Sequence, residues 1–114
     1  MTAAAAAPRA PSPSASSTPS ASGPSQFAAE RQLLDEARDA LVKGDPERAL
    51  DRVETHRRRF LNPLLAEERD AMEVEALARA GRLAEARARA DQFQKRSPDS
   101  LFLPTVQSAV ESNP

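Results

Sequence analysis

The sequence predicts an all-α domain of about five antiparallel helices, forming two helical hairpins and a terminal capping helix. Three features point to it. Apolar residues recur at three- and four-residue steps from Phe27 onward, glycine corners interrupt them at short intervals, and no stretch alternates as a strand would. The corner "VKGDPERAL", Val42 to Leu50, returns as "ARAGRLAEA", Ala78 to Ala86, so that Gly44 and Gly81, and likewise Ala49 and Ala86, stand 37 positions apart. That spacing falls within the range of stacked helix-pair repeats.

Composition divides the chain before any helix is placed. Residues 1–26 are almost wholly Ala, Pro, Ser and Thr, carry one charge (Arg9) and lack any large apolar residue after Met1. Such a segment buries too little surface to offset its ordering entropy, so it is expected to be a disordered linker leading into a helical domain over 27–112.

The first helix is expected over Phe27–Lys43, with Ser25 as its cap and Leu33, Leu34, Ala37, Ala40 and Leu41 as its apolar stripe. Asp45 caps the second, whose first position is Pro46, where a missing amide hydrogen does no harm. Its inward residues are Ala49, Leu50, Val53 and Phe60, and it ends near Leu61. Asn62 and Pro63 start the third helix by the same logic, with Leu65, Met72, Ala76 and Leu77 inward and Gly81 as its stop. Arg82–Arg96 forms the fourth around Leu83, Ala86, Ala90 and Phe93. Ser100–Ser112 forms the fifth, with Phe102, Leu103, Val106 and Val110 inward and Pro104 in its first turn. Connections this short fold each helix back against its predecessor, and small residues at Ala37, Ala49 and Ala86 let the backbones approach.

Charge and residue usage narrow the function classes. Sixteen basic and seventeen acidic residues give a net charge of −1, and every acid lies at or after Glu30, so the helical part mixes both signs densely. A general nucleic-acid binder would carry a basic excess. There is no cysteine, hence no disulfide, thiolate nucleophile or cysteine metal site. No run approaches the roughly 18 apolar residues of a membrane span, so the chain is expected to be soluble, without direct membrane insertion.

The corners and packing positions together carry a family likeness. In "LLDEARDALVKGDPERALDRVETHRRRFLNP", Ala37, Gly44, Ala49 and Val53 occupy small, turn, small and packing positions, and Pro63 follows. "ERDAMEVEALARAGRLAEARARADQFQKRSPDS" repeats the pattern with Val74, Leu77, Gly81, Leu83, Ala86, Ala90, Phe93 and Pro98. These units resemble the tetratricopeptide repeat family over residues 30–110. "FQKRSPDSLFLPTV" is similar to the ends of repeat units in bacterial cell-envelope proteins of that type. Leu33 and Asp70 stand where the family has a large aromatic.

The resemblance implies a non-enzymatic scaffold or adaptor that binds a peptide or protein partner along the first helices of the hairpins. On that basis the partner-binding residues are Arg31, Arg38 and Val42 from the first unit and Glu68, Glu75 and Arg79 from the second. Two other roles fit the same residues: an assembly element self-associating through Leu101, Phe102 and Leu103, or a detached C-terminal module of a membrane-anchored regulatory protein. The last would be periplasmic; otherwise a cytoplasmic location is the default. A phosphate or nucleic-acid site on Arg57–Arg59 is a lesser alternative.

Catalytic chemistry finds little material. His56 is the single histidine, and a catalytic or zinc role would need partners that the chain barely offers beyond Glu54 and Glu75, so it is expected to be a half-buried or exposed helix residue. The carboxylates Glu67, Glu68, Asp70, Glu73 and Glu75 are expected on a solvated face, interleaved with Arg69 and Arg79 in surface ion pairs. No catalytic, cofactor-binding or metal-ligating residue is assigned.

Overall fold

The computed structural model describes residues 24–111. The expected linker therefore lies almost wholly outside the described residues, as do 112–114 at the other end. The described chain consists of α1 (Pro24–Val42), α2 (Pro46–Arg59), α3 (Ala66–Arg79), α4 (Leu83–Arg96) and α5 (Leu103–Glu111). The helices make two layers. α1, α3 and α5 lie side by side in one, and α2 and α4 form the other, each bridging two members of the first. The central helix α3 therefore packs against all four others.

The two glycine corners are built alike. At the first, the Gly44 amide donates to the Leu41 carbonyl (3.1 Å) and the Asp45 amide to Ala40 (2.8 Å). At the second, Gly81 donates to Ala78 (3.1 Å) and Arg82 to Leu77 (2.9 Å). Each is the six-to-one, five-to-two pairing that closes a helix through a left-handed residue, and Gly44 and Gly81 have φ of 79° and 82°. The corners differ in how the next helix begins. Asp45 accepts from the Arg48 amide (3.2 Å) and Pro46 takes the first position of α2, whereas Arg82 precedes α4 with no side-chain cap.

Burial recurs at the same 37-residue interval. Leu34, Ala37, Ala40, Leu41, Ala49, Val53 and His56 are buried in the first hairpin, and Ala71, Val74, Leu77, Ala78, Ala86, Ala90 and Phe93 are buried at the corresponding places in the second. Ala49 and Ala86, both fully buried, sit where each second helix meets its partner. One core cluster joins α1, α2 and α3 around Leu34, Val53 and Met72. A second joins α3, α4 and α5 around Val74, Phe93 and Val106. Leu50 packs against both.

Several boundaries and burials depart from the expectations. α1 starts at Pro24, so Ser25 is a residue of the helix and not its cap. α3 begins at Ala66, three residues after Pro63, and α5 runs from Leu103, with Pro104 in its first turn as expected. Phe60 follows α2 as a half-buried residue, and Phe102 and Leu103 pack half-buried against the second core. Of the apolar trio proposed for self-association, only Leu101 is exposed.

Candidate functional site

His56 and four of the five α3 carboxylates lie elsewhere than expected. His56 is fully buried, at the position Phe93 fills in the second hairpin, and its ring stands 5.2 Å from that of Phe60. Its Nε2 lies 2.9 Å from Oε1 of Glu30, a fully buried carboxylate on α1 that the sequence had not singled out. Glu30 also accepts from the amides of Leu64 (2.8 Å) and Leu65 (2.9 Å), and from the side-chain amide of Gln26 (2.8 Å). Gln26 in turn donates to the Asn62 carbonyl (3.0 Å). Leu65 is the residue before α3, and its side chain offers no cap, so Glu30 supplies from another helix the anion that a helix start favours.

The protonation states follow from these contacts. Burial opposes the charge on Glu30, but the Leu64 amide, Gln26, the Leu65 amide and His56 together outweigh it and hold the carboxyl below its ordinary value. Burial depresses His56, overcoming the hydrogen bond and charge of Glu30. A neutral imidazole donating from Nε2 to an ionised carboxylate satisfies both statements, and it leaves the buried Nδ1 without a hydrogen-bond partner. Among the described residues no group of three or more acids and histidines is arranged to hold a metal ion.

Of the α3 acids that were expected on a solvated face, Glu68, Asp70 and Glu73 are drawn in by arginines from other helices, Glu75 is half-buried, and Glu67 is exposed. Glu68 is buried. It accepts from Arg31 Nη1 at 2.9 Å and from Arg31 Nη2, making a two-pronged pair, and Arg38 adds a contact at 3.4 Å. The hydrogen bonds from Arg31 hold the Glu68 carboxyl below its ordinary value in spite of burial. Glu73 is buried and accepts from Arg57 (3.0 Å), while half-buried Asp70 meets Arg57 (3.6 Å), Arg69 (3.0 Å) and Arg96 (3.8 Å). The cluster Arg57–Arg59 is engaged unevenly. Arg57 is tied to α3, Arg58 lies 3.8 Å from Glu54, and Arg59 stands over the Phe60 ring at 5.3 Å.

The six residues expected to bind a partner separate into three places on the layer formed by α1, α3 and α5. Arg31, Arg38 and Glu68 form the clamp that fastens α1 to the start of α3. Glu75 and Arg79 line a groove of about 560 Å³ between α3 and α5, with Ala78, Pro104, Thr105, Ser108 and Ala109. Arg79 does not pair with Glu75 four residues before it; its Nη1 donates to the Leu41 carbonyl at 3.1 Å. Val42 is exposed at the end of α1.

Compared with models of protein families, with curated proteins and with solved structures, the chain matches none. What stands is an all-helical small domain of five packed helices. No described helix is long and apolar enough to cross a membrane.

Proposed function

We propose that the domain is a non-enzymatic protein-interaction module of tetratricopeptide-like design, taking an extended segment of a partner along the layer made by α1, α3 and α5. The observation that carries this is the α3–α5 groove. It places a small apolar floor (Ala78, Pro104, Ala109) beside hydroxyls and a carboxylate (Thr105, Ser108, Glu75), a mixture suited to side chains and backbone of an extended peptide. The equal corners and the 37-residue recurrence of buried positions support the repeat design. In that design the Arg31–Glu68–Arg38 clamp is chiefly structural, because it is satisfied internally.

The test is a screen of the full chain against a library of extended peptides, followed by backbone amide mapping by NMR. Shifts clustering on Glu75, Ala78, Thr105 and Ser108 support the proposal; binding mapped to the outer layer of α2 and α4, or none at all, defeats it. The alternative of self-association keeps one observation in its favour, the exposure of Leu61, Leu64 and Leu101 in the two connections that precede α3 and α5. Light scattering of the full chain across a concentration series decides it, since a constant monomer mass ends that alternative.

A further inference from the structure

Glu75 is anomalous among the acids of this domain. It is half-buried, yet it makes no hydrogen bond or ion pair among the described residues. Every other described carboxylate that is buried or half-buried is engaged: Glu30 by His56 and two amides, Glu36 by Arg52, Glu68 by Arg31, Asp70 by Arg69 and Glu73 by Arg57. The remaining carboxylates without partners, Glu67, Asp99 and Glu111, are exposed and hydrated. The helix itself provides a cation at the right spacing, Arg79, but that guanidinium is committed to the Leu41 carbonyl. A carboxylate that has lost part of its hydration to a groove wall and makes no ion pair is a strong acceptor with an open position, even with Arg79 lining the same groove.

Building on the proposed peptide-binding role, we infer that the α3–α5 groove selects a partner segment bearing lysine or arginine, whose cation pairs with Glu75 while small neighbouring residues lie over Ala78, Pro104 and Ala109. The unpaired carboxylate decides the occupant, since the other charge lining the groove, Arg79, gives its Nη1 to the Leu41 carbonyl. The Thr105 and Ser108 hydroxyls at the groove can accept a further hydrogen of an ammonium or guanidinium group, which carries several donors and no acceptor. An acidic segment would bring like charge to Glu75. A neutral segment would leave the carboxylate partly desolvated and unmatched, which is how a site of this kind rejects the wrong ligand.

The experiment uses four pools of acetylated, amidated octapeptides of Ala, Ser and Pro in which one central position is fixed as Lys, Arg, Ala or Glu. Each is titrated into the isotopically labelled full chain. The Lys and Arg pools are expected to shift the amides of Glu75, Ala78, Thr105 and Ser108 and to bind about tenfold more tightly than the Ala pool, the effect of one charge-assisted hydrogen bond. Glu75→Gln, which keeps the size and removes the charge, is expected to abolish that preference with unchanged helicity. Glu67→Gln removes an exposed charge elsewhere on α3 and is expected to leave it intact. If the Ala or Glu pool shifts the same amides as strongly, the groove binds peptides but the cation selectivity is refuted. If no pool shifts them, the groove is not a peptide site and both proposals fall. A preference for basic pools that survives Glu75→Gln also overturns the inference, since it would then arise from the general charge of the surface.

Discussion

The Nε2 of His56 meets Oε1 of Glu30 at 2.9 Å where α1, α2 and the start of α3 converge, and both side chains are fully withdrawn from solvent. Through the amides of Leu64 and Leu65 the same carboxylate sets where α3 begins. One acid therefore fastens three helices, and the chain between Phe60 and Ala66 follows from its demands.

Removing that acid should be costly. Glu30→Ala strands the Leu64 and Leu65 amides and the His56 Nε2–H, and breaking a buried, hydrogen-bonded group of this kind typically costs about 3–5 kcal/mol. Glu30→Gln keeps one carbonyl acceptor and is expected to cost about 1–3 kcal/mol. Urea unfolding followed by circular dichroism checks both. A Glu30→Ala protein within 1 kcal/mol of the parent (about a fivefold change in the folding equilibrium) would show that the network carries little stability.

Acid should weaken the fold in two stages. His56 has an ordinary value of 6.5 and is depressed in the folded state, so below pH 6.5 the unfolded chain takes up a proton that the folded chain refuses. Its contribution is complete above pH 6.5 and is lost as pH falls toward the folded value. Glu30 and Glu68, depressed from 4.5, add a second loss as pH falls below 4.5 toward their folded values. His56 is the single histidine in the chain, so His56→Phe, which installs the side chain found at the equivalent Phe93, is expected to flatten the upper stage, and to shrink the Glu30 part of the lower stage while sparing that of Glu68. Unfolding midpoints measured across pH for both proteins test this, and an upper stage that persists in His56→Phe would assign it to other groups.

Local rules carried the corners and most of the core, and they failed where the partner lies far along the chain. Gly44 with Asp45 and Pro46, and Gly81 before Leu83, are local signals because a helix stop, a cap and a first-turn proline act within a few residues. The buried stripe of α1 and the fully buried Ala49 and Ala86 were legible for the same reason. The acids of α3 were misread because spacing along the helix pairs Glu75 with Arg79, whereas the structure pairs Glu68 with Arg31, 37 positions away, and Glu73 with Arg57, 16 positions away. A helix surrounded by four others has no wholly solvated face, and the sequence pattern of α3 does not announce its central place. Asn62 with Pro63 is a sound local signal for the start of α3, but the cap that prevails is Glu30, more than thirty residues upstream. A buried acid paired with the lone histidine 26 positions later leaves no local signature at all.

The corners offer a backbone test free of packing effects. A Cβ added at Gly44 or Gly81 would meet nothing within 4 Å, so any cost of Gly→Ala comes from the left-handed backbone alone. Each substitution to L-alanine is therefore expected to destabilise by about 1–2 kcal/mol, and D-alanine introduced by chemical synthesis should be neutral or stabilising. Thermal melts of the four proteins check this. Equal losses with L- and D-alanine would mean that space and not φ limits the corner.

Arg79 couples the two corners, and that coupling is measurable. Its Nη1 and the Gly44 amide both donate to the Leu41 carbonyl, so the end of α3 is tied to the closing turn of α1. Arg79→Met keeps most of the aliphatic stem and removes the donor, while the carbonyl retains Gly44, so the expected loss is about 0.5–1.5 kcal/mol. Strain at Gly44 disturbs the same carbonyl. A double-mutant cycle of Arg79→Met with Gly44→Ala should therefore be non-additive by about 0.5 kcal/mol or more. Arg79→Met with Pro98→Ala, a change in the exposed α4–α5 connection, should be additive within error. Additivity in both cycles would show that the Arg79–Leu41 bond fastens nothing that the Gly44 corner depends on.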